Sequence, residues 1–246
     1  MSNDKYKRYL DPTFPLLEKY REIAPGSYKH SQNVANICES IAIELELDVE
    51  LMRCCGLFHD IGKMNYPLNF SENQSSKINI HDDIEPNMSY HLITRHVSDG
   101  VLILLQNDFP LEVIKIISEH HGDTLLKQFH KKDEDSPEDF FRYKGKKPTS
   151  IESIVLMIVD SVEATSRAMM MQKEEGEENG DFIKRVIRST IERLDDDDQL
   201  DQILHGAIKQ IKRILYKELE SIYHKRVSYN KDDEVIDNVK PNKNKK

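Results

Sequence analysis

The sequence predicts an all-α protein, and three observations carry the prediction. Glycine and proline number only 9 each in 246 residues, too few for a fold built on tight turns. Apolar residues recur at intervals of three and four, and no stretch alternates as a strand would. Hydrophobic residues make up 38% of the chain, enough to bury a core.

The elements follow in order. Between residues 30 and 47, Val34, Ile37, Cys38, Ile41 and Leu45 form one helical stripe, and His30 falls on it one turn before Val34. A second helix is expected over residues 49–61, carrying Met52, Cys55, Phe58 and His59, with Gly62 placed to end it. Residues 65–88 mix prolines, asparagines and serines with few apolar side chains and read as a long irregular loop. Loops of that length usually cover something. Helical pattern resumes over 89–105, with His96 inside it, and over 111–121, which ends on His120 and His121 before Gly122. A polar insert at 131–150 leads to a nearly all-apolar helix at 151–171, interrupted by Asp160. The acidic segment 173–180 reads as a flexible connection. Amphipathic helices at 182–194 and 199–223, joined by a turn at 195–198, complete the pattern. Residues 1–230 are therefore expected to form one domain with a C-terminal helical extension from about residue 182. The charged, aperiodic residues 231–246 are expected to be disordered.

Charge and apolar run length exclude several classes of function. The formal net charge is -9, so the surface as a whole does not attract duplex nucleic acid. The longest apolar runs, at 154–159 and 101–105, fall far short of the roughly 20 residues of a membrane span. The charged first residues lead into no hydrophobic stretch, so a cytoplasmic location is expected. Three cysteines, Cys38, Cys54 and Cys55, lack the spacing of a zinc or redox motif and read as small buried side chains.

The chemistry lies in a constellation. His30, His59 with Asp60, His96, His120 with His121, and Asp160 all sit on or at the ends of predicted helices, among aliphatic residues. Burying that many imidazoles and carboxylates without partners costs several kcal/mol each, whereas a pair of divalent cations partners all of them. Imidazole-rich sites suit iron, manganese or another first-row transition metal better than magnesium or calcium.

In this order, His30, His59-Asp60-Ile61-Gly62-Lys63, His96, His120-His121-Gly122 and Asp160 resemble the signature of the HD phosphohydrolase superfamily in its HDIG form. The bare HD dipeptide says little; the full ordered set is specific. Ala24 to Ser31, Phe70-Ser71-Glu72-Asn73-Gln74, His96 to Gly100, Phe141-Arg142-Tyr143 and Asp160 to Ala164 look like the HD domain of PgpH-type cyclic-di-AMP phosphodiesterases, and the likeness runs from about residue 10 to residue 229. The resemblance implies an HD-domain helical bundle in which one metal takes His30, His59, Asp60 and Asp160 and a second takes Asp60, His96, His120 and His121. Asp60 would bridge the ions, and a hydroxide between them would attack phosphorus. It implies hydrolysis of cyclic di-AMP to pApA. Open alternatives are another cyclic dinucleotide, an oligonucleotide or a nucleotide as substrate, a di-iron oxygenase, and a silent nucleotide-binding module. Relatives of this type carry membrane helices ahead of the HD domain, so the chain reads as either a free-standing relative or an excised domain; oligomeric state is left open.

Other residues divide between site and scaffold. Lys63, one turn past His59, is placed beside the metals by the resemblance, facing a phosphate oxygen or the leaving group, with a solvated lysine as the alternative. Asn73, Arg142, Tyr143 and Arg167 are candidates for substrate contact, with pinning of loops as the alternative. Asp99 and Glu163 either hold a ligand imidazole from behind or serve only their own helices. His81 and Asp82 form a second HD dipeptide that matches no ligand position and read as loop residues. His91, His130, His205 and His224 lack partners in the motif and read as packed or surface histidines.

Overall fold

The computed structural model describes residues 5–74, 79–170, 173 and 176–236, with side chains in the last helix up to Tyr223. Ten α-helices account for most of the described residues: α1 (Lys7–Leu10), α2 (Pro15–Ile23), α3 (Pro25–Glu44), α4 (Val49–Phe58), α5 (Pro86–Gln106), α6 (Leu111–Ser118), α7 (Lys127–His130), α8 (Ile151–Met170), α9 (Asn179–Asp196) and α10 (His205–Ile236). Among the described residues there is no strand, only one isolated bridge between Leu125 and Arg142. The all-α class follows, as the apolar periodicity predicts.

The apolar stripe decides where each helix goes. On α8, Ile154 through Val159 are each 0% exposed, because α3, α4, α6, α9 and α10 all pack against that helix. A helical segment buried on every side has to be central, and α8 therefore carries Asp160, which follows that segment, into the core. Cys38, Cys54 and Cys55 are free and buried, as expected. No helix among the described residues is long and apolar enough to cross a membrane.

Several boundaries differ from the sequence expectation, each for a local reason. Helices α3 and α5 start at Pro25 and Pro86, earlier than their apolar stripes, and α2 adds a helix at Pro15. Proline fits a first turn, where its missing N–H has no partner to lose. Helix α4 ends at Phe58, so His59 and Asp60 occupy a turn ahead of the 3-10 helix Ile61–Asn65. Gly62 is not a helix stop. A Cβ there would lie 1.9 Å from the His96 carbonyl oxygen, so glycine is what lets the two histidine-bearing segments touch. Helix α6 also stops early, at Ser118, and leaves His120 and His121 in the following turn. Gly122, at φ +53°, turns the chain away in the left-handed region.

Among the described residues, the loop at 65–88 contains three short 3-10 turns, Pro67–Asn69, Ser71–Asn73 and Ile80–Asp82. Residues 199–204 are not helical, and α10 starts at His205. Helix α10 runs to Ile236, six residues into the stretch expected to be disordered, while residues 237–246 lie outside the described residues. Part of the expected connection before α9, residues 174 and 175, also lies outside them, as do the preceding 171 and 172.

Candidate metal centre

Five segments bring the seven histidines and aspartates together. His30 comes from α3, His59 and Asp60 from the turn after α4, His96 from α5, His120 and His121 from the turn after α6, and Asp160 from α8. All are buried except His121, which is half-buried. Glu119 fixes the register of the histidine pair against α8. Its buried carboxylate accepts from the Thr149 amide at 3.0 Å and from the Ser153 hydroxyl at 2.8 Å, at the N-terminus of α8, where an anion is favoured.

Backbone carbonyls set the imidazole tautomers. The Nδ1 atoms of His59, His96 and His120 lie 2.8, 2.7 and 2.6 Å from the carbonyl oxygens of Gly56, Ile93 and Ile117, each three residues earlier. A carbonyl only accepts, so each Nδ1 carries a proton and Nε2 is the nitrogen left to face the centre. His30 is held differently: its Nδ1 lies 2.5 Å from Glu163 Oε2, and Asn33 donates to the other Glu163 oxygen at 2.8 Å.

The free nitrogens converge on the two carboxylates. His30 Nε2 is 3.0 Å from Asp160 Oδ1 and 3.6 Å from Asp60 Oδ2. His59 Nε2 is 3.3 Å from Asp60 Oδ2, and His96 Nε2 is 3.4 Å from Asp60 Oδ1. His30, His59, Asp60 and Asp160 form one set, and Asp60, His96, His120 and His121 a second; within each, the donor atoms all lie within 4.8 Å of one another. Asp60 belongs to both and turns a different oxygen toward each.

These residues fit divalent cations. His59 Nε2 and His120 Nε2 are buried without an aligned hydrogen bond, an expensive arrangement unless a ligand takes the lone pairs. Electrostatics point the same way. Burial pushes the His59 pKa down, but Asp60 and Asp160 outweigh it and raise it to about 10. Burial also lowers His120, and His59 and His96 add to the effect, bringing it to about 3. Burial resists ionisation of Asp60, yet Lys63 and His59 hold its carboxyl well below the usual range. Anionic carboxylates gathered among imidazoles are the donor set of a transition-metal site, and a cation bound there would displace the proton that Asp60 and Asp160 hold on His59.

Lys63 stands 2.7 Å from Asp60 Oδ2 and 3.0 Å from Glu72 Oε1. Burial works against its charge, but Asp60 and Glu72 raise its pKa well above the ordinary value, so it stays a cation. Glu72, visible in the sequence only as the middle of Phe70-Ser71-Glu72-Asn73-Gln74, also accepts from the Ser27 hydroxyl at 3.0 Å. It ties the loop, the lysine and α3 together.

A cavity of about 500 Å³ opens onto the centre and is lined by His30, Asp60, Lys63, His96, Tyr143 and Arg167 among others. The Tyr143 ring stacks on His121 with centroids 4.4 Å apart. Asn73 is elsewhere. Its Oδ1 accepts from the Gly26 and Ser27 amides at 2.9 and 3.1 Å, and its Nδ2 donates to Ser27 Oγ and the Pro67 carbonyl. With its polar atoms engaged inside the fold, Asn73 caps α3. Arg142 is likewise committed, donating to the Asp123 carbonyl at 2.9 Å and to Asp197 at 2.8 Å; it pins the insert. Asp99 pairs with Arg95 at 3.1 Å, while the Ile93 carbonyl, not Asp99, orients His96. His81 belongs to neither donor set and donates through Nε2 to the Asn69 carbonyl at 2.9 Å.

Comparison with known proteins places this geometry among relatives. The HD domain family model matches residues 27–165. The cyclic-di-AMP phosphodiesterase PgpH of Bacillus subtilis (strain 168) is 34% identical over 225 residues, covering 89% of this chain and 31% of that protein. The protein of the same name from Listeria monocytogenes serotype 1/2a (strain 10403S) is 37% identical over 238 residues, covering 94% of this chain and 32% of that protein. The chain thus spans about a third of the length of these relatives. The crystal structure of the L. monocytogenes PgpH HD domain in complex with cyclic-di-AMP superimposes with a TM-score of 0.79 at 37% identity, over 87% of this chain and 100% of that one.

Proposed function

This chain belongs to the HD domain family, and from that premise we propose that it is a metal-dependent phosphodiesterase that opens cyclic di-AMP to the linear dinucleotide pApA. The observation that carries the reading is the pair of four-residue donor sets sharing Asp60. PgpH relatives named for cyclic-di-AMP phosphodiesterase activity, and the cyclic-di-AMP complex of one HD domain, support the choice of substrate.

His30, His59, Asp60 and Asp160 would hold one ion and Asp60, His96, His120 and His121 the other, with iron or manganese suited to so many imidazoles. When bound, such a pair supplies Lewis acidity to phosphoryl oxygens and makes water acidic enough to serve as the nucleophile near neutral pH.

The chain's own residues do the rest. Glu163 and the three backbone carbonyls hold His30, His59, His96 and His120 in the orientation a ligand needs, so little reorganisation is needed when charge develops. Lys63 holds a fixed positive charge beside Asp60. Its pKa is raised, so it stabilises negative charge on the phosphate and leaving oxygen electrostatically and keeps its proton. Tyr143 offers a flat aromatic wall on which a purine can stack, and Arg167 a guanidinium on the same cavity wall.

The test is chromatographic. Incubation with cyclic di-AMP and manganese or ferrous iron should yield pApA, and a metal-free control should not. Failure to form product with the metals shown to be bound would overturn the substrate assignment.

A further inference from the structure

Arg193, on α9, also lines the metal cavity, although it lies outside residues 27–165 that the HD domain family matches. Among the described residues it has no hydrogen bond or ion pair. The neighbouring acid that would ordinarily take it, Asp197, is already held by Arg142 at 2.8 Å. Arg193 also borders a smaller cavity of about 160 Å³ shared with Arg142 and Asp197, where the acid has its base. Burial lowers the Arg193 pKa against the pull of Asp197 and Asp160, the mark of a guanidinium partly removed from water. A guanidinium partly removed from water, with no hydrogen-bond acceptor among the described residues, gains most when an oxyanion reaches it.

The other cations on that wall are differently disposed. Lys63 is engaged by Asp60 and Glu72. Arg167 lies 3.6 Å from Glu163. Lys127 is exposed, where water screens its charge. A cyclic dinucleotide brings two phosphodiesters, and a single two-ion centre neutralises the one being cut. The second enters a protein of net charge -9 and needs a cation of its own.

We propose that Arg193 grips the phosphodiester that is not being cut, and so sets the preference of this site for a two-phosphate ring over a simple diester. The assignment rests on the reading of the site as a cyclic-dinucleotide phosphodiesterase and makes Arg193 a binding residue supplied by the C-terminal extension.

The experiment compares kcat/KM for cyclic di-AMP with that for bis(p-nitrophenyl) phosphate, which has one phosphodiester, in the metal-loaded full chain. In Arg193→Gln the ratio of the two values should fall about ten- to hundredfold, the range of one charge-assisted hydrogen-bonded contact, mainly through KM for the cyclic substrate. Arg193→Lys, which keeps the charge but loses the fork, should fall between. Should Arg193→Gln not fold, Arg193→Met carries the same expectation. A parallel fall for both substrates, or no change in the ratio, would overturn the role of Arg193 while leaving the proposed activity standing. Cleavage of the small diester but not of cyclic di-AMP by the unaltered chain would overturn the proposed activity itself, and this role with it.

Discussion

At the scale of single residues, Asp60 matters most, because its two oxygens face different halves of the histidine cluster at 3.3 and 3.4 Å. Asp60→Ala should abolish turnover in folded protein, and measurable hydrolysis in that variant would contradict a shared carboxylate. Glu163 acts through His30, whose Nδ1 it fixes. Removing such a partner typically weakens metal binding by about 10- to 100-fold, so Glu163→Ala should show that loss in a chelator competition, with Glu163→Gln recovering part of it. Equal affinity for Glu163→Ala and unaltered protein would reduce Glu163 to a packing residue. The clustering of the histidines and aspartates was legible in the sequence because such residues on apolar helix faces are costly to bury unless a partner takes them up. The carbonyls of Gly56, Ile93 and Ile117 were not, since every residue carries the same backbone oxygen and only the fold decides which of them meets an imidazole.

At the scale of elements, the apolar stripes of α3, α5 and α8 located those helices, whereas α4 and α6 were expected to run through their histidines and instead stop before them. The reason lies in tertiary contact. Gly62 and Gly122 look alike as helix stops in a sequence, yet Gly62 admits the His96 backbone and Gly122 has the positive φ of a true turn. Asn73 shows the same limit. Polar residues in a long loop invite a substrate role, but α3 begins on Ala24, which has no capping side chain, and Asn73 reaches across 46 and 47 positions of sequence to supply one. Asn73→Ala should therefore cost about 1–2 kcal/mol in denaturant unfolding, the range for a lost helix cap. An unchanged midpoint with a raised KM would return Asn73 to the substrate.

At the scale of the whole molecule, the N-terminal segment is clasped to α6 through Glu112, which accepts from Lys5 and Tyr6. Those hydrogen bonds lower the Glu112 pKa from its ordinary value of 4.5. A carboxyl with a lowered folded-state pKa contributes stability above its unfolded pKa and loses it as pH falls through the folded one. The difference in melting temperature between the unaltered chain and Glu112→Gln should thus be full at about pH 7 and shrink as the solution is acidified below 4.5; a constant difference would contradict the linkage. The C-terminal helices, readable in the sequence only as an amphipathic extension, close the same core, since α9 and α10 both pack on α8. The most direct test of the central claim follows turnover and bound metal together, as manganese or ferrous iron is titrated anaerobically into metal-free protein with cyclic di-AMP present. Product should form only as the second ion per chain binds. Full turnover with one ion bound, or none with two, would contradict an enzyme built on two donor sets joined by Asp60.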